Sequence, residues 1–147
     1  MSAAVVERRL RRALLVLAGG IFLGTPVELW LNEHTESRTQ YIPFVLCGLG
    51  VLAVVGMLLS PRPATLWFLR GTMILTAAGG LLGIYEHIAG NFAFELEIRP
   101  NATYSGVVMD ALRGGNPLLA PGILTVAAIV ALIATYYHPG FNAKQSR

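Results

Sequence analysis

One cysteine, Cys47, stands among 147 residues, inside an apolar run. That excludes a disulfide framework and any metal site built on paired thiolates, and leaves a small buried hydrophobe as the reading of this side chain. Charge is scarce too: 13% of residues are Asp, Glu, Lys or Arg, about half the share usual in soluble domains. No acid or base lies near the middle of any apolar run, which argues against a transporter that binds at the bilayer midplane. The chain lacks a nucleophile-base pair, a phosphate loop and a nucleotide fingerprint, and it has no H-E-x-x-H or E-x-x-H spacing for a metal. No reaction is legible, so a protein that is not an enzyme is expected.

What the chain has is hydrocarbon. Hydrophobic residues make up 54% of it and the mean hydropathy is +0.60, too apolar for a soluble fold of this size. Four runs, residues 13–31, 41–59, 66–85 and 117–137, each have about the 20 residues that a helix needs to cross a bilayer. Backbone groups in lipid must be satisfied within the segment, so helices are the expected form. Arg8, Arg9, Arg11 and Arg12 resemble the n-region of a signal peptide. The run that follows is long and lacks a small-x-small cleavage site, so a retained helix is expected. The expected fold is therefore an all-α integral membrane protein, a single four-helix bundle.

The net charge of +3 does not point to nucleic acid, because the basic residues flank apolar runs instead of forming a face with interleaved aromatics. Eight of the eleven Lys and Arg residues (Arg8, Arg9, Arg11, Arg12, Arg62, Arg70, Lys144 and Arg147) fall on one side if both termini and the turn at 60–65 share it. By the positive-inside rule that side is cytoplasmic, which places the chain in an inner (plasma) membrane with both termini inside. Arg38, Arg99 and Arg113 then lie outside with all the acids except Glu7. Trp67, Tyr136 and Tyr137 fall at the inner interface, and Trp30, Tyr41 and Tyr85 at the outer one.

Wound at 100° per residue, Thr72, Thr76, Gly79, Gly80, Gly83, Glu86 and His87 share one stripe of the third run. Gly79-x-x-x-Gly83 makes that stripe a helix-packing face. In the first run Gly20, Gly24, Thr25, Glu28 and Asn32 share a stripe, with Gly20-x-x-x-Gly24 as its contact motif and Pro26 bending the helix before Glu28. Helices 1 and 3 are thus expected to face one another. Glu28, Asn32, Glu33, His34, Glu86 and His87 become candidate ligand or metal residues at their outer ends. On a continuous helix His34 sits about 240° from Glu28, so it joins this cluster only if the helix ends by Asn32. The Glu33-His34 and Glu86-His87 pairs, 53 residues apart, hint at a duplicated two-helix unit.

The one long connection, residues 89–116, is expected outside. Phe92, Phe94, Leu96 and Ile98 alternate with Ala93, Glu95, Glu97 and Arg99, the period of a strand. After Pro100-Asn101, Tyr104, Val107, Val108, Ala111 and Leu112 recur at helical spacing, which predicts a short amphipathic helix ended by Gly114-Gly115. That helix would cap the bundle or lie among the headgroups. Asn101-Ala-Thr matches a glycosylation sequon, of consequence only in a secretory pathway.

Two functions follow. The first is a non-catalytic accessory subunit, whose partners are the bilayer and either other membrane subunits or its own copies. The second is an outward-facing site for a divalent metal, a haem or a proton, because ionisable groups at membrane depth are costly and His with carboxylates ligates metals. Haem would require both His34 and His87 to turn inward at one depth.

Overall fold

The computed structural model describes residues 2–136 and 138. Tyr137, Lys144 and Arg147, which entered the interface and charge assignments, lie outside the described residues. The chain folds as α1 (Ala3–Leu31), a 3-10 turn (Arg38–Tyr41), α2 (Ile42–Leu59), α3 (Pro63–Ile98), α4 (Tyr104–Leu112) and α5 (Leu119–Ala134), with no strand among the described residues. Three segments, Ala3–Leu31, Arg38–Leu59 and Pro63–Ile98, are long and apolar enough to cross a membrane, as in a membrane protein. α5 is apolar but has 16 residues, about 24 Å of helix.

Local chemistry sets the boundaries. Pro43 and Pro63 stand in the first turns of α2 and α3, where a missing amide costs little. In the first turn of α3, the Thr65 hydroxyl accepts the Arg62 N–H at 3.1 Å and donates to the Ser60 carbonyl at 2.6 Å, which fixes the tight α2–α3 turn. Thr103 caps α4 by accepting the Gly106 N–H at 3.2 Å. α1 begins ten residues before its apolar run, and Arg11 binds Glu7 one turn earlier at 2.6 Å.

Four helices form a ring in which α1 packs on α2, α2 on α3, α3 on α5 and α5 on α1. α1 and α3 lie on a diagonal and their backbones do not approach closely among the described residues, which corrects the expectation that they face one another. α5 takes the place between them. Ala127, Ala128, Ala131 and Ala134 are all buried, so α5 presents small residues to helices on both sides and admits each closely. The core beneath contains Phe22, Leu66, Leu69 and Met73, each fully buried.

The two glycine motifs differ in use. A Cβ on Gly79 would lie 2.6 Å from Leu46 of α2, and one on Gly83 would lie 2.8 Å from Pro121 of α5. The α3 stripe is therefore a packing face, split between two neighbours. Gly20 and Gly24 have nothing within 4 Å, so this pair is not a contact motif. In α1 the close approach is made by Phe22, whose ring occupies the space left by Gly50.

Residues 92–98, expected as a strand, are instead the last turns of α3. Ala, Phe, Leu and Glu are all compatible with helix, and extending an existing helix avoids the cost of a new nucleus. Arg99 pairs with Glu95 one turn back and with Asp110 of α4 at 2.7 Å. α3 thus runs 36 residues, about 54 Å, with its final turns braced by α4.

Candidate functional site

The end of the bundle that bears the two histidines is built from the terminus of α1, the middle of α3 and the start of α5. α1 stops in a Schellman motif. The Glu33 N–H donates to the Trp30 carbonyl at 3.1 Å and the His34 N–H to the Leu29 carbonyl at 2.9 Å, with Glu33 in the left-handed region at φ 53°. These are the two bonds that close a helix C-terminus in this way, and the left-handed residue between them is ordinarily glycine. The turn reverses the chain just after Asn32 and swings His34 off the helical path it would otherwise have followed.

Its imidazole comes to rest beside that of His87, with ring centroids 6.3 Å apart and planes tilted by 56°. The His87 Nδ1 lies 2.9 Å from the Pro117 carbonyl. As Nδ1–H it donates there, satisfying a carbonyl just ahead of α5, and Nε2 is then the nitrogen left for other partners. One turn further along α3, Asn91 is buried to 3% exposure. Its amide closes a two-way bond with the Asn116 backbone, Nδ2 to the carbonyl at 3.0 Å and the Asn116 N–H to Oδ1 at 3.0 Å. Gly90 and Gly114 leave the room for this: a Cβ on the first would lie 3.0 Å from the Asn116 side chain, and one on the second would run into Asn91. His87 and Asn91 together fasten the segment entering α5 to α3.

The other candidates are placed apart. Glu28, Glu33 and Glu86 are exposed. Asn32 turns its amide back onto its own helix, to the Glu28 carbonyl at 2.8 Å. Of the six, His34 and His87 are the two that the fold brings together. Among the described residues no group of three or more His, Cys, Asp or Glu side chains is placed to hold a metal ion. Burial, and then the proximity of His87, hold the His34 pKa below its ordinary value, so the neutral imidazole is the favoured form there.

A second polar cluster, at the opposite end, was not anticipated from the sequence. α5 ends at Ala134, and its last carbonyls are met by arginines from both neighbours. Arg11 Nη1 donates to the Ala134 carbonyl at 2.9 Å. Arg70 donates to Thr135 twice, from Nη2 to the carbonyl at 3.0 Å and from Nε to the hydroxyl at 3.2 Å. Unpaired carbonyls and the negative end of the helix dipole are both answered by guanidinium groups. His138 sits nearby, its pKa lowered by burial and then by Arg11 and Arg70. Arg70, one turn inside an apolar run, was the available signal, since an arginine at that depth needs a partner. Asn91 had one too, because it continues the α3 stripe four residues beyond His87.

No family model, curated protein or solved structure matches the chain.

Proposed function

We propose that the chain is a non-catalytic accessory protein of an inner membrane, with four spans and both termini cytoplasmic. In this reading its α3–α4 projection contacts a neighbouring membrane protein. Support comes first from that projection: α3 continues eleven residues beyond His87, about 16 Å. It is held against α4 by the Phe92–Tyr104 ring contact at 6.0 Å and by the Arg99–Asp110 ion pair. Phe94, Ile98, Tyr104 and Met109 are exposed on it, and a braced apolar surface of this kind suits a protein partner better than a solvated loop would. Arg8, Arg9, Arg11, Arg12, Arg62 and Arg70 gather at the opposite end, which favours that end as the cytoplasmic one. α5 serves as the fourth span, with its shortfall at the cytoplasmic side met by Arg11 and Arg70.

The test is to replace residues 92–113 by a short Gly-Ser linker and to compare what co-purifies from the native membrane in mild detergent. Loss of a stoichiometric partner with the bundle still folded supports the accessory role. Full assembly without the projection would overturn it.

The second reading, proton handling at the outer end, is favoured by the His34–His87 contact alone. It predicts a pH-dependent contact between two imidazoles, with no third ligand needed.

A further inference from the structure

Beside the 3-10 turn, α2 and α3 leave a groove of about 290 Å³, lined by Ile42, Val45, Leu46 and Leu49 of α2 and Leu75 of α3, with Arg38 and Tyr41 at its head. The α2 residues fall at i, i+3, i+4 and i+7, so the groove runs down one helix face toward the bilayer centre. Its lining is almost wholly apolar, and its volume is at the lower end of those that hold small ligands, about 300 Å³ and above. Arg38 makes no side-chain hydrogen bond or ion pair among the described residues, whereas Arg99, also toward this end of the bundle, is engaged by Glu95 and Asp110. Glu33 and Glu36 line a different depression, beside Trp30 and Leu31, so their carboxylates do not occupy the groove.

We propose that this groove holds one acyl chain of an anionic phospholipid whose phosphate pairs with the Arg38 guanidinium. The chemistry is complementary at both ends. A planar guanidinium with free donors at the interface matches a phosphate diester, and an apolar channel descending from it matches a hydrocarbon tail. Tyr41 supplies the amphipathic ring that suits headgroup depth. The inference rests on membrane insertion and is independent of the accessory role.

Native mass spectrometry tests it. The full chain is reconstituted in nanodiscs of equal phosphatidylglycerol and phosphatidylcholine and then released into mild detergent. One phospholipid, enriched in phosphatidylglycerol, is expected to remain on the wild-type protein. Arg38→Gln, an exposed change, is expected to lower the phosphatidylglycerol adduct about fivefold, as one basic group near a membrane surface would. Leu75→Trp fills the groove and removes the adduct, while Ile74→Trp, the neighbouring exposed position outside it, keeps the adduct. Excess inorganic phosphate leaves the lipid in place. Equal retention by wild type, Arg38→Gln and Leu75→Trp would overturn the proposal. So would absence of any retained lipid, displacement by phosphate alone, or a lipid-free dimer. A chain that does not enter nanodiscs at all would overturn the membrane reading, and the groove with it.

Discussion

His34 and His87 meet ring to ring at 6.3 Å although α1 and α3 occupy opposite corners of the bundle. The meeting depends on the left-handed Glu33, which ends α1 and throws His34 across toward α3. Because the folded-state pKa of His34 is lowered, the unfolded chain takes up that proton first. The contribution to stability is therefore full above 6.5, the ordinary histidine value, and is lost as pH falls below it toward the folded-state value. Thermal melting in detergent between pH 8 and pH 5 is expected to show a fall in midpoint that is smaller in His34→Gln. Identical pH profiles for the two proteins would remove His34 from the acid response.

Asn91 predicts a different kind of loss. Asn91→Leu removes both partners of the Asn116 N–H and carbonyl, at a cost of about 0.5–1.5 kcal/mol for each hydrogen bond lost. Asn91→Asp keeps an acceptor for the Asn116 N–H but loses the donor to its carbonyl, so its melting point should lie between those of wild type and Asn91→Leu. Hydrogen exchange at the Asn116 amide should rise in Asn91→Leu and stay near wild type in Asn91→Asp. An unchanged exchange rate in the leucine variant would contradict the two-way bond.

At the other end, Arg70→Met should fray α5. Hydrogen bonds to charged groups are worth about 1.5–3 kcal/mol each, and two are lost. Arg70→Lys retains the charge but cannot address the Thr135 carbonyl and hydroxyl with one planar fork. Exchange of the final-turn amides of α5 is expected to quicken in the order wild type, lysine, methionine. Equal protection in all three would show that Arg11 alone holds the terminus.

The glycines separate packing from open surface. Gly80→Ala drives a methyl against the Thr125 hydroxyl and to within 2.9 Å of the Pro121 carbonyl, an overpacking that costs about 1–3 kcal/mol. Gly20→Ala meets nothing within 4 Å and should stabilise α1 by about 0.5–1 kcal/mol through helix propensity. Melting points moving in the same direction would refute this contrast.

Helical segments at the four apolar runs, the packing stripe on α3 and the short helix at Tyr104–Leu112 were legible because burial against lipid or neighbours imposes the period that sequence displays. The partnership of helices was not. A small-residue stripe reports that something approaches closely, without saying which helix does, and Gly20-x-x-x-Gly24 misled for that reason. The alternation from Phe92 to Arg99 misled in another way: it lies on a helix with exposed Phe94 and Ile98, where no sheet face enforces a period of two. The His34–His87 pairing was legible only conditionally, since it required α1 to end by Asn32. The left-handed residue that ends it is a glutamate, which carries no helix-stop signal. Arg11 and Arg70 were legible as charges but not as caps, because the shortness of α5 is a property of tertiary structure.

That shortness has a consequence for the surrounding lipid. In the four-span arrangement proposed above, α5 offers about 24 Å of helix to hydrocarbon about 30 Å thick, and its Ile123, Val126, Ile129 and Ile133 face outward. In that arrangement the protein would be thin on one flank, and a bilayer fits such a flank by pinching inward at a modest elastic cost for each ångström of mismatch. Two pinched zones that merge deform less lipid than two that stay apart. Membrane elasticity alone then draws α5 toward another thin-waisted neighbour, before any side chain has touched.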